Sequence, residues 1–140
     1  MKARLVSRAR LREPSLQERF TYYQKLLRAR MPIELIHAKK GSADSYCVPR
    51  YRTIALDEGG HELRSVDIAN RISELQRQAV PGLVFIIGEA DGLRPEERDA
   101  ADEVWSLSRL TLPHQLCMVV LVEQLYRATA ILRGEPYHRE

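Results

Sequence analysis

Apolar residues recur along this 140-residue chain in two alternating rhythms, short continuous runs and helically spaced sets. The clearest run, Leu83-Val84-Phe85-Ile86-Ile87, has no polar interruption and suits a central parallel strand covered on both faces. Residues 2–7, 33–37 and 53–56 read as further strands, with Asp57-Glu58-Gly59-Gly60 as a turn closing the third. Between them Leu16, Phe20, Tyr23 and Leu27 fall on one face of a helix that Pro14 opens, that runs to about Ala29, and that Pro32 stops. Residues 39–44 have loop composition. Ser65 caps a second helix carrying Val66, Ala69, Ile72 and Leu75 at helical spacing. Gly88-Glu89-Ala90-Asp91-Gly92 turns toward a helix expected from about Pro95 to about Val104, followed by a short polar strand from Trp105. This alternation predicts one α/β domain over residues 1–140 with a mostly parallel sheet, whose ligands sit beyond the carboxyl ends of the strands.

The last helix has a different pattern. Pro113 opens it and Gly134 ends it, and Leu116 to Val122 is apolar nearly all round. Such a helix has no solvent face, so it needs cover on both sides, and a second copy of the chain is an economical cover beside the plainer reading of a core helix. Length then decides against a strand, because Glu123, Gln124 and Arg127 continue the segment for several turns.

Composition adds limits. Cys47 and Cys117 are too few for a disulfide framework, and no uninterrupted apolar stretch reaches about 18 residues, so no membrane partner and a reducing cytoplasm are expected. Net charge is +3, and the basic excess is concentrated in the first 30 residues, where nine Lys and Arg face only Glu13 and Glu18. That field attracts phosphate backbones or is simply a solvated basic helix face. No Cys or His cluster has metal-site spacing, so no metal is expected, and there is no G-x-S-x-G elbow and no P-loop. The glycine turn at 88–92 reads more readily as an ordinary strand-to-helix connection than as a ligand loop, and His114 beside Pro113 more readily as a capping or packing residue than as a ligand or base.

Four segments together carry a resemblance: Trp105-Ser106-Leu107-Ser108, Leu110-Thr111-Leu112-Pro113-His114, Glu123-Gln124-Leu125-Tyr126-Arg127-Ala128 and the terminal Pro136-Tyr137-His138-Arg139-Glu140. With them the chain resembles the large-subunit ribosomal RNA methyltransferase H family, SPOUT-class enzymes that methylate N3 of a pseudouridine in 23S rRNA with S-adenosylmethionine. The resemblance implies a SPOUT-type α/β fold with a deep C-terminal trefoil knot and a homodimer paired through the final helix. It implies a cofactor site lined by Leu56, Gly88 and the loop Ser108, Arg109, Leu110, Thr111, Leu112 and Pro113. Tyr137, His138 and Arg139 are then catalytic, beside the partner subunit's cofactor, with His138 as the base for the N3 proton and Arg139 stabilising charge on the base carbonyls.

Four features depart from the family pattern. Glu89 stands for the second glycine of the loop, Met118 for an arginine on the final helix, and Ser7-Arg8 for a Gly-Lys pair. Residues 39–52 are shorter than the usual helical connection, leaving one sheet face bare or covered by Tyr46, Val48 and Tyr51. Two readings remain: a methyltransferase acting on the large subunit or the assembled ribosome, and a noncatalytic SPOUT-like RNA- or ribosome-binding dimer.

Overall fold

A computed structural model describes residues 1–38, 46–88 and 92–140. Five strands form one sheet: β1 (Lys2–Ser7), β2 (Ile33–His37), β3 (Arg52–Glu62), β4 (Gly82–Ile87) and β5 (Glu103–Ser106). Their spatial order is β2-β1-β4-β3-β5 and every pairing is parallel. Four helices connect or follow them: α1 (Pro14–Leu27), α2 (Ser65–Arg77), α3 (Pro95–Ala100) and α4 (His114–Leu132). The expected α/β architecture with a parallel sheet is therefore present.

β4 is buried at all six positions, as an uninterrupted apolar strand must be when the sheet is covered on both sides. The main core lies between the sheet and α1, α2 and α4, and includes Leu5, Phe20, Leu27, Ile72, Leu75, Phe85, Trp105 and Leu125. On the opposite face a smaller cluster of Val6, Ala38, Val84 and Ile86 is covered by Tyr46, Cys47, Val48 and Tyr51. Of the two outcomes the short connection allowed, the structure thus shows the covered face, and aromatic side chains take the place of a helix. Residues 39–45 of that connection lie outside the described residues.

Three element boundaries differ from expectation. Asp57 to Gly60 is not a turn: β3 continues through it to Glu62, and its pairing with β5 shifts register between Leu56 and His61. The absence of a side chain at Gly60 permits this, since a Cβ there would stand 2.8 Å from the Val104 carbonyl oxygen. The third helix ends at Ala100, not near Val104, because Glu103 and Val104 already belong to β5. Ser65 is the first residue of α2 and not its cap; the Arg64 amide donates to Asp67 Oδ2 at 2.8 Å, and the Ser65 hydroxyl bonds Gln124 Oε1 at 2.6 Å. That bond joins α2 to α4.

α4 has the length and hydropathy of a membrane span, but Met118, Leu121, Val122, Leu125 and Ala128 are buried within this fold against α1, α2 and the sheet. Individual large apolar side chains of α1, α4 and the tail stay exposed, among them Tyr22 47%, Leu116 37%, Leu132 41% and Tyr137 36%.

Candidate active site

Beyond the carboxyl end of β4, where β3 leaves its pairing with β4 at Leu56, three separate stretches of chain converge on one cleft of about 260 Å³. β3 supplies Leu56, Asp57 and Glu58; the end of β4 and the residues beyond it supply Ile87, Gly88 and Gly92; the segment between β5 and α4 supplies Leu107, Ser108, Leu110, Thr111 and Leu112. His114 and Cys117 of α4 form its floor. This is the location at which parallel sheets place their ligands, where strand ends leave backbone groups unpaired beside apolar walls.

Six of the eight residues expected to hold a cofactor line this cleft: Leu56, Gly88, Ser108, Leu110, Thr111 and Leu112. Arg109 points away from it, ion-paired with Glu62, and lines a neighbouring surface hollow. Pro113 caps α4. Glu89 of the glycine loop lies outside the described residues. The third stretch is held in place by short polar contacts: Ser108 Oγ accepts the Leu110 amide at 2.9 Å, and the Thr111 hydroxyl donates to Glu58 Oε2 at 2.7 Å. Gly88 admits close approach of chain, since a Cβ on it would stand 2.4 Å from the carbonyl carbon and oxygen of Gly92.

Asp57 and Glu58 carry no sequence signal for this place, because both stand in a stretch of turn composition. In the folded chain they give the cleft its charge. Asp57 is paired with Arg98 at 2.9 Å, while Glu58 has only the Thr111 hydroxyl for a partner among the described residues. The lining therefore mixes apolar side chains with polar ones and an acidic edge.

Cys117 is a further unforeseen lining residue, and burial pushes its thiol up to about 11. At pH 8 only roughly one thiol in a thousand is then ionised. Alkylation followed by peptide mass spectrometry is expected to show Cys117 slow at that pH, and slower with the cleft filled. Rapid modification unaffected by ligand would place Cys117 outside the cleft.

A larger cavity of about 470 Å³ lies along the β5 edge beside Arg71 and Glu103. Its charges already serve one another. Arg71 Nη2 meets Glu103 Oε2 at 2.8 Å and Trp105 Nε1 donates to Glu103 Oε1 at 3.0 Å. Burial raises the Glu103 carboxyl, but hydrogen bonds from Arg71 and Trp105 outweigh it and hold the group below its usual range. This is a structural network at a sheet edge.

The tail forms a second cluster, separate from the cleft. Tyr137 packs edge-on to Tyr126 with centroids 4.9 Å apart, under the Arg127 guanidinium. Its hydroxyl donates to Glu123 Oε1 at 3.2 Å and lies 3.4 Å from the Tyr23 hydroxyl. Burial, then the Tyr23 contact and the Glu123 charge, raise the phenol well above its ordinary value, so Tyr137 is a neutral donor. Arg127 stays cationic, its proton held chiefly by the Glu123 hydrogen bond. His138 Nδ1 lies 3.1 Å from Arg127 Nη1. Because a guanidinium only donates, Nδ1 is the acceptor, and Nε2 is buried with no hydrogen-bond partner among the described residues, the Glu140 carboxylate standing 3.8 Å away. Arg139 is exposed.

The two clusters do not meet within one chain. Along α4 the cleft lining ends at Cys117 and the tail's contacts begin at Glu123, six residues and about 9 Å further at 1.5 Å per residue.

Met118 is fully buried in the main core between these two clusters. A thioether fills the space and no charge is present there. Among the described residues no group of three or more His, Cys, Asp or Glu is placed to hold a metal ion.

Comparison with known proteins agrees with this geometry. The family described as "Predicted SPOUT methyltransferase" matches residues 1–138. The ribosomal RNA large subunit methyltransferase H of Gloeobacter violaceus is 37% identical over 152 residues, covering 99% of both chains. That of Zymomonas mobilis is 38% identical over 141 residues, covering 100% of this chain and 99% of its own. Among solved structures, a methylase family protein from Neisseria gonorrhoeae shares the fold at a TM-score of 0.63, covering 99% of this chain and 86% of its own, with 11% identity. From the three-sided cleft through the buried final helix to the Tyr-His-Arg tail, the chain belongs to the SPOUT methyltransferases and, within them, to the family of ribosomal RNA large subunit methyltransferase H.

Proposed function

We propose that this chain transfers the methyl group of S-adenosylmethionine to N3 of a pseudouridine in 23S rRNA, on the large subunit or assembled ribosome. In this reading it works in the cytoplasm as a homodimer of single-domain subunits, with the segment before α4 threaded as a deep trefoil knot. The observation that carries the proposal is the convergence of Leu56 to Glu58, Gly88 with Gly92, and Leu107 to Leu112 on one cleft, three stretches distant in sequence.

The residues present fit the cofactor. Leu56, Ile87, Leu107 and Leu112 offer apolar walls to an adenine ring, and Glu58 offers a negative edge to a cation. When bound, S-adenosylmethionine supplies a methyl group on positively charged sulfur, and the enzyme's task is to align the receiving nitrogen with it. Leu110, 73% exposed at the cleft mouth, is free to meet the incoming RNA or the partner subunit.

Exposed apolar side chains at Tyr22, Leu132 and Tyr137 on α1, α4 and the tail support a homodimer, since a second copy can bury them. It also gives the tail a cleft to serve, the partner's, since within one chain Tyr137 and His138 pack on α4 and do not line the cleft. There Tyr137 and the Nε2–H of His138 donate hydrogen bonds, and Arg139 stabilises negative charge on the base carbonyls. For His138 to accept the N3 proton, its free lone pair on Nδ1 must leave Arg127 and face the base.

RNA recognition has a physical basis at the rim. Gln115 Oε1 accepts the Arg12 and Glu13 amides at 2.7 and 2.8 Å, which draws the loop between β1 and α1 to the first turn of α4. That places exposed Arg10 and Arg12 near the cleft mouth, where their charge attracts phosphate.

The noncatalytic alternative rests on Met118, whose burial leaves no charge on that part of α4. One pair of measurements separates the readings. Calorimetry with S-adenosylmethionine should show saturable binding, and methyl from labelled cofactor should appear in 23S rRNA of ribosomes lacking the modification. Binding of ribosomes without cofactor binding or label would establish the alternative.

A further inference from the structure

Arg8 and Glu97 are 89 positions apart, yet their side chains form an ion pair with 6% and 0% of their surface exposed. Arg8 follows the last residue of β1, and Glu97 lies in the first turn of α3. Glu97 Oε1, which receives Arg8, also accepts the Arg94 amide at 2.9 Å. Arg8 Nε and Nη1 and Glu97 Oε2 have no hydrogen-bond partner among the described residues. A buried ion pair left with unmade hydrogen bonds stabilises a fold less than apolar residues of the same size. Its value here lies in position.

β1 runs beside β4 with Ser7 opposite Ile87, so Arg8 flanks Gly88. Arg94 follows Gly92 by two residues, and Gly92 stands so close to Gly88 that no side chain fits between them. Both glycines line the cleft. His37 secures the other end of the contact, with Nε2 3.0 Å from the Arg8 carbonyl oxygen. We propose that the Arg8–Glu97 pair is a positioning device for the cofactor cleft: it ties the start of α3, through the Arg94 amide, to the end of β1 and so holds Gly92 against Gly88. The proposal rests on the reading of this cleft as the S-adenosylmethionine site. Arg8 and Glu97 act through the loop and touch no reacting atom.

The test compares wild type, Glu97→Gln, and the double variant Arg8→Met with Glu97→Leu, using full-length protein. Removing both charges is expected to leave the melting temperature of the unliganded double variant equal or higher, while S-adenosylmethionine binds roughly tenfold more weakly. In methyl transfer the KM for the cofactor should rise with kcat at saturation unchanged; a purely structural role would lower the melting temperature and leave KM alone. A folded double variant with wild-type affinity overturns the proposal. Should that variant fail to fold, Glu97→Gln decides, since it keeps the shape and the Arg94 bond but lacks the charge. Weaker cofactor binding then supports the clamp, and unchanged binding overturns it. A wild-type chain that binds no S-adenosylmethionine overturns the proposed function itself, whereas wild-type binding with unaffected variants removes the clamp alone.

Discussion

His138→Ala is expected to slow methyl transfer to 23S rRNA at least about a hundredfold while S-adenosylmethionine affinity in calorimetry stays unchanged, the usual scale for removing a proton-handling side chain. The separation of effects follows from geometry. His138 is anchored by Arg127 and does not line the cleft, so its loss leaves the cofactor contacts of its own chain in place. Arg139→Ala should show the same pattern with a smaller loss, on the order of tenfold or more, because an exposed guanidinium stabilises charge without moving a proton. Tyr137→Phe separates the roles further. Its raised phenol remains protonated across the neutral range, so the loss is of a hydrogen-bond donor and should not alter the shape of the pH–rate profile. Full activity in both the His138 and Arg139 variants would remove the tail from the mechanism.

Much of the fold can be read from local pattern where burial is two-sided or strictly periodic. β4 is apolar at every position and the structure buries every position. On α1 the predicted face is present, with Phe20 and Leu27 buried and Leu16 and Tyr23 partly so. The errors occur where a non-local contact overrules a local signal. Asp57-Glu58-Gly59-Gly60 has turn composition, yet β5 passes so close to Gly60 that the small residue serves strand contact instead. Likewise Glu103 and Val104 continue a polar helical pattern but are drawn into the sheet, where Asp102 and Thr53 exchange backbone and side-chain hydrogen bonds at 2.8 Å. Neither pairing leaves a trace in the residues on either side.

The candidate site shows the same division. Ser108, Leu110, Thr111 and Leu112 are identifiable because their motif is contiguous, and the structure gathers them with Leu56 and Gly88. Arg109 belongs to the motif but not to the cleft, since its neighbour Glu62 is brought there only by the extended β3. Glu58 is hidden for the same reason: its place opposite Thr111 depends on a strand that composition alone does not announce. The Arg8–Glu97 pair joins two residues that have no relation in sequence, and only the juxtaposition of β1 with α3 discloses it.

A heterodimer built from two inactive chains is expected to regain roughly half of wild-type activity, because one of its two sites is whole. One chain carries Gly88→Val, which thrusts a side chain into the Gly92 backbone 2.4 Å away and spoils the cofactor cleft while leaving the tail intact. The other carries His138→Ala, which spares the cleft and removes the tail. Each homodimer lacks one part at both sites and should be nearly inert. Co-expression with two affinity tags and sequential purification isolates the mixed dimer, in which the intact tail of the first chain meets the intact cleft of the second. If the tail served its own cleft, neither chain would hold a complete site and the mixed dimer would be as inactive as its parents. The geometry favours recovery, since Tyr137 packs on Tyr126 and Glu123 and His138 on Arg127 of their own chain, and none of these residues lines that chain's cleft. An inactive heterodimer of correct mass that still binds cofactor at its intact cleft would refute the shared site and confine each reaction to one subunit.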